Sequence, residues 1–206
     1  MARRRKRRPL RDRSVESELK FRVSGLRDHA RLRALLRQRG ARLEGTYREE
    51  NYRLEGPGKS TRQTTLRLRV LDGGPHGYLT AKGPARFEGR VKIREETEIA
   101  ISDTRTTLDL LTQLGFHVAW SYPKRRAMWM LDGVVATLDV LEFGWFVELE
   151  GPAAILPEMA RSLGLDPAVA LRESYSVLAR TFLKSKKLPG VPVTPLSGQP
   201  LETPSG

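Results

Sequence analysis

From Val15 to Gly151, charged and apolar side chains trade places at every second residue, in one short segment after another. A β-strand sends successive side chains to opposite faces, so residues of one parity share a face. In the first segment Glu16, Glu18, Lys20 and Arg22 face one way while Leu19, Phe21 and Val23 face the other. Thr65–Val70 sets Arg67 and Arg69 against Leu66, Leu68 and Val70, and the next segment sets Thr80 and Lys82 against Leu79 and Ala81. Over Val91–Ile101, Lys92, Arg94, Glu96 and Glu98 oppose Val91, Ile93 and Ile99. Lys124 and Arg126 share a face, Asp139 opposes Leu138 and Val140, and Glu148 and Glu150 oppose Val147 and Leu149.

One solvated face is the ordinary condition of an antiparallel sheet, and any single segment fits that account. The set fits it poorly. Glu-x-Glu recurs at Glu16/Glu18, Glu96/Glu98 and Glu148/Glu150, and carboxylates side by side on one face repel unless a cation sits between them. Glu and Asp oxygens are the ligands that Mg²⁺ and Mn²⁺ prefer, and Arg forks and Lys ammonium groups bind phosphate oxygens. Carboxylates for a metal beside many cations on one concave face describe a polyphosphate site. Closing the sheet would turn that face into a tunnel.

Helical spacing interrupts the strands four times: Arg27–Arg39, a stretch capped by Ser102/Asp103 and ending at Gly115, Ala154–Leu163 and Ala168–Lys184. The turns Asp72-Gly73-Gly74 and Asp132-Gly133 separate strands. A chain of 206 residues without internal repeats suits one α+β domain over residues 14–187. It is flanked by a basic arm over 1–13 and a Pro/Ser/Gly-rich tail over 188–206, both expected to be disordered.

Cysteine is absent, which excludes disulfides, thiolate metal sites and a cysteine nucleophile, and three scattered histidines cannot make a zinc site by spacing. No segment has the length or purity of a membrane span, so a cytoplasmic protein without a membrane partner is expected. The net charge of +13 raises nucleic acid as a partner. The arm, with eight basic residues and Asp12, holds +7 of it. It lacks interleaved aromatics and is expected to bind polyanions weakly, without specific nucleic-acid recognition. Gly58-Lys59-Ser60 resembles the end of a P-loop, but no glycine stands at the required upstream position and no buried strand feeds a helix, so a turn is expected. Trp129 and Trp145 are expected outside, opposite in parity to the charged residues.

The run Glu16-Ser17-Glu18-Leu19-Lys20 resembles the N-terminal ExExK signature of the CYTH, or triphosphate tunnel, superfamily, which groups class IV adenylyl cyclases with thiamine and inorganic triphosphatases. Leu66-Arg67-Leu68-Arg69, Leu79-Thr80-Ala81-Lys82-Gly83-Pro84, Arg94-Glu95-Glu96-Thr97-Glu98, Lys124-Arg125-Arg126, Leu138-Asp139 and Gly144–Gly151 are similar to its successive strands, and Ser174-Tyr175 to its C-terminal helix. The chain departs from the family at Asn51-Tyr52-Arg53, where relatives often carry an aromatic followed by Asp-Thr-Pro.

The resemblance implies an eight-stranded antiparallel closed β-barrel with helices packed outside, binding a metal-triphosphate complex. It implies that Glu16, Glu18, Glu96, Glu98, Asp139, Glu148 and Glu150 hold Mg²⁺ or Mn²⁺. Lys20, Arg67, Arg69, Lys82, Arg94, Lys124 and Arg126 would orient the phosphates, with Lys20, Arg94 and Arg126 catalytic. The expected activity is hydrolysis of inorganic tripolyphosphate or a related organic triphosphate by a monomer or homodimer. The cyclase conversion of ATP to cyclic AMP and pyrophosphate is the alternative, favoured less because the His-Phe pair that precedes ExExK in cyclase members is missing. A non-enzymatic polyphosphate-binding module is a third reading.

Overall fold

Strands of alternating character bury one face against outside helices and turn the other inward. A computed structural model describes residues 14–58 and 64–186. The arm, the tail beyond Lys186 and the Lys59-Ser60 part of the expected turn lie outside the described residues. In chain order the elements are β1 (Ser14–Val23), α1 (Leu26–Gln38), β2 (Arg42–Glu55), β3 (Thr65–Leu71), β4 (Gly77–Lys82), β5 (Arg86–Glu88) and β6 (Val91–Ile101). There follow α2 (Thr104–Gln113), β7 (His117–Leu131), β8 (Val134–Leu141), β9 (Gly144–Glu150), α3 (Leu156–Ser162), a 3₁₀ turn (Pro167–Val169) and α4 (Tyr175–Ser185).

The strands run β1-β9-β8-β7-β2-β3-β4-β6, all antiparallel, and the pairing of β1 with β6 closes them into an eight-stranded barrel. β5 is a three-residue addition on β6 that the sequence reading did not foresee. β7 and β8 are joined by Asp132-Gly133, both at positive φ (47° and 79°), the handedness that a tight two-residue hairpin demands and that Asp-Gly tolerates.

Leu19 and Phe21 of β1, Trp129 and Leu131 of β7 and Val147 and Leu149 of β9 pack outward under Leu32 and Leu36 of α1 and Leu156 and Ala160 of α3. Tyr52 and Leu54 of β2 and Leu68 and Val70 of β3 pack under Leu108 and Leu111 of α2. Asp103 caps α2 by accepting the Thr106 amide at 2.9 Å, as its place before the apolar stripe predicts.

The fourth expected helix is broken. The Leu171 amide instead donates to the Lys20 carbonyl at 2.7 Å, which holds the chain extended across β1. A helix restarts only at Ser174, whose hydroxyl accepts the Val177 amide at 3.3 Å. This break lets α4 cover one end of the barrel, where Tyr175 and Ala179 pack on Tyr122 and Phe146. None of the described helices is long and apolar enough to cross a membrane.

Candidate active site

Charged residues of the expected parity fill the barrel interior. The register of β1 with β9 sets Glu18 directly across from Glu150 and Lys20 across from Glu148. The register of β1 with β6 sets Glu16 across from Arg94 and Glu18 across from Lys92. One oxygen from each of Glu16, Glu18 and Glu150 lies within 4.8 Å of the others.

The trio is unevenly compensated. Glu18 accepts from Lys92 at 3.0 Å and has Lys20 at 3.7 Å. Burial pushes the Glu16 carboxyl up, but the Lys82 ammonium at 2.6 Å overrides it and holds the group down at about 2. Glu150 makes no ion pair among the described residues. Burial, then the neighbouring charges of Glu16 and Glu148, push it up to about 8.

Three hard oxygen donors converging with one charge uncompensated fit a divalent cation such as Mg²⁺ or Mn²⁺. The other four acids expected to hold metal are placed against cations. Glu96 meets Lys82 at 3.2 Å. Glu98 meets Arg69 at 2.7 Å and accepts from the Thr80 hydroxyl. Glu148 meets Lys20 at 3.1 Å and also Arg126. Asp139, fully buried, takes two bonds from Arg126 at 2.7 and 2.6 Å and one from the Tyr175 hydroxyl at 2.9 Å.

The seven expected phosphate ligands fall into two groups. Lys20, Lys124 and Arg126 are engaged deep inside by Glu148, Glu49 and Asp139 respectively. Lys20 also sits 4.3 Å over the Tyr175 ring. Arg67, Arg69 and Lys82 line the opposite wall with Arg94, whose guanidinium is tied to the Gly83 and Lys82 carbonyls at 2.7 and 3.0 Å. Arg67 stands directly across from Arg53. The buried Nε atoms of Arg67 and Arg69 have no partner among the described residues. Like charges opposed across a pair of strands, with donors left over, are the electrostatic counterpart of the acidic trio and suit an anion.

The sequence reading missed Glu49, which shares the interior with Asn51 and Arg53. Burial pushes Glu49 up, but Lys124 at 2.8 Å, Arg126 and Arg69 hold it well below the usual carboxylate range. Its parity with Asn51 and Arg53, against Tyr52 and Leu54, was the available signal, obscured by Arg48 and Glu50 on the other face. Asn51 is fully buried, with its carbonyl oxygen unpartnered among the described residues. Tyr122 and the Tyr175 hydroxyl also belong to the interior, where burial raises both phenols.

Known proteins are similar to this chain in sequence and fold. "Putative adenylate cyclase" of Methanocaldococcus jannaschii is 26% identical over 172 residues, covering 78% of this chain and 96% of its own. A solved protein of Pyrococcus horikoshii OT3 superposes with a TM-score of 0.67 at 26% identity, over 79% of this chain and 98% of that one. A protein from Hippeastrum, described as a "putative adenylyl cyclase" with a dominant triphosphatase activity, superposes at 0.52 and 19% identity, over 84% of this chain and 89% of its own. Residues 14–164 match the CYTH domain across the barrel, α1, α2 and α3, and by that match this chain belongs to the CYTH domain family.

Proposed function

We propose that this protein is a divalent-metal-dependent phosphohydrolase acting on inorganic tripolyphosphate or a related organic triphosphate bound inside the barrel. The observation that carries the reading is the pairing of two unbalanced poles in one interior. Glu150, crowded by Glu16 and Glu18, has no cation of its own among the described residues, and Arg53 and Arg67 oppose each other with the buried Nε–H groups of Arg67 and Arg69 still short of an anion. A metal-triphosphate complex supplies both.

Glu16, Glu18 and Glu150 would hold the ion, which when bound would neutralise phosphate charge. Phosphoryl transfer asks the protein mainly for positioning and electrostatic stabilisation, so no covalent nucleophile is needed. Arg67 and Arg69 grip non-bridging oxygens through free N–H groups, and Lys82 turns from Glu16 and Glu96 toward the phosphates. Arg126, locked by Asp139 and Glu148, and Lys20, locked by Glu148 and the Glu173 carbonyl at 3.1 Å, keep fixed positive charge where a departing phosphate develops negative charge. Tyr175 closes the interior behind them and limits water.

The cyclase reading draws on the name of the Methanocaldococcus relative, and the hydrolase reading on the activity described for the Hippeastrum protein. Tripolyphosphate, ATP and thiamine triphosphate, each with Mg²⁺ or Mn²⁺, separate them by product. Orthophosphate from tripolyphosphate or thiamine triphosphate supports hydrolysis. Cyclic AMP with pyrophosphate supports cyclisation, and metal-dependent binding without turnover supports a sensor.

A further inference from the structure

The +13 net charge of the chain is not spread over it. The arm carries +7, and residues 26–42 carry six arginines against Asp28, a net +5. The rest of the chain, tunnel included, is left with +1. Beyond the arm, the excess therefore sits on α1 with its flank.

Leu32, Leu36 and His29 bury one face of α1 against the barrel. On its solvent side Arg27 and Arg31 form one row, four residues apart, and Arg33 and Arg37 a second, with Ala30, Ala34 and Gln38 between them and Arg39 at the end. None of these five arginines is in an ion pair among the described residues; Arg42 alone in the segment is neutralised, by Glu44 at 2.6 Å. Asp28 is turned back to accept the Ser24 amide at 2.8 Å. Arg31 donates to the Leu163 carbonyl at 3.4 Å and Arg37 sits 5.6 Å over Trp129, contacts that hold the side chains without cancelling charge. Like charges four apart on a helix repel and weaken it, so the charge repeat itself works against the helix.

We infer that the arginine face of α1 is a docking surface for the sugar-phosphate backbone of nucleic acid, bound without sequence preference and separately from the tunnel. Arginine forks match phosphate oxygens, and two rows flanking a low strip of alanines let phosphates approach from both sides. A lipid surface fits less well. Interfacial helices present a broad apolar face to the acyl chains, and here that face is covered by the barrel, leaving Leu26 as the exposed large apolar side chain of α1.

The test uses the full chain with fluorescent DNA and RNA duplexes and single strands of about 20 nucleotides, in EDTA so that no metal-dependent turnover occurs and monovalent salt alone sets the slope, with tripolyphosphate added only as the competitor. Neutralising about five phosphates gives a log–log salt slope near −4.5, so raising salt from 50 to 200 mM weakens binding by roughly several hundred-fold. Arg27→Gln/Arg33→Gln/Arg39→Gln removes three charges whose side chains make no hydrogen bond in the described structure. It should keep the wild-type melting curve while flattening the slope by about three units, and the corresponding lysine variant should restore it. Four results overturn the inference: no binding at 50 mM salt, an unchanged slope in the folded triple variant, release of nucleic acid by tripolyphosphate at matched ionic strength, or capture by phosphatidylserine vesicles with no binding of nucleic acid.

Discussion

Glu18 of β1 and Glu150 of β9 face each other directly across the strand pair that the ExExK segment makes with the last barrel strand. Like charges in such a position destabilise a sheet. Burial first, then the Glu16 and Glu148 charges, leave Glu150 with its proton held to about 8. The pair makes sense as half of a cation site, and its titration is the most direct handle on that reading.

Because the folded-state value of Glu150, about 8, lies above its ordinary 4.5, the folded protein binds a proton there that the unfolded chain has released. Its contribution to stability is therefore intact below about 4.5, falls as pH rises, and is lost by about 8. In EDTA, the wild-type melting temperature should drop between about pH 5 and pH 8 relative to Glu150→Gln, whose curve should be flatter. Saturating Mg²⁺ should remove most of the wild-type drop. Parallel curves for the two proteins in EDTA would separate Glu150 from this role.

Glu16→Gln/Glu18→Gln should fold, since an amide fills the same space, yet lose metal-dependent turnover by at least about a hundred-fold, because it lacks the charge that holds the ion. Circular dichroism checks the fold, and isothermal titration with Mn²⁺ checks that the loss is one of metal binding.

Arg67 and Arg126 should behave oppositely. Arg67 has a free Nε, a long hydrogen bond to the Thr80 hydroxyl at 3.5 Å and a distant pairing with Glu98 at 3.9 Å, so Arg67→Ala should melt close to wild type. It should still lose about ten-fold or more in tripolyphosphate affinity, from about 1.5–3 kcal/mol of charge-assisted contact. Arg126→Ala leaves Asp139 buried without its cation and takes one of two from Glu148, at a cost of about 3–5 kcal/mol. Urea denaturation of the two unliganded variants, followed by thermal shift with tripolyphosphate and Mg²⁺, separates the two effects.

Tyr175→Phe removes the hydroxyl that donates to Asp139 at 2.9 Å and keeps the ring under Lys20. A lost bond to a charged group should cost about 1.5–3 kcal/mol. Because Tyr175 opens α4, amide hydrogen exchange in α4 should rise more than in α1 or α2.

Residue parity alone placed the interior set. Lys20, Arg67, Lys82, Arg94, Arg126 and Glu148 all stand where alternation puts them, because an antiparallel strand offers a side chain only two directions and the apolar residues take one. Parity failed where a segment carries charge on both faces, as at Arg48-Glu49-Glu50. Helical spacing failed at Ala168–Lys184 because the competing hydrogen bond comes from Lys20, some 150 residues earlier, and no local pattern records it.

The sequence by itself thus determined which residues face inward and that the interior would be crowded with opposed charges. Which charges meet was decided by register, the pairing of β1 with β6 and β9 that closes the barrel. That register brings Glu16 and Glu18 to Glu150, while the pairings of β7 with β8 and β2 set Arg126 across from Asp139 and Lys124 across from Glu49. Parity is a property of each strand's own backbone. Register is settled by the joint fit of eight strands and the helices on them, so it exists only in the folded chain.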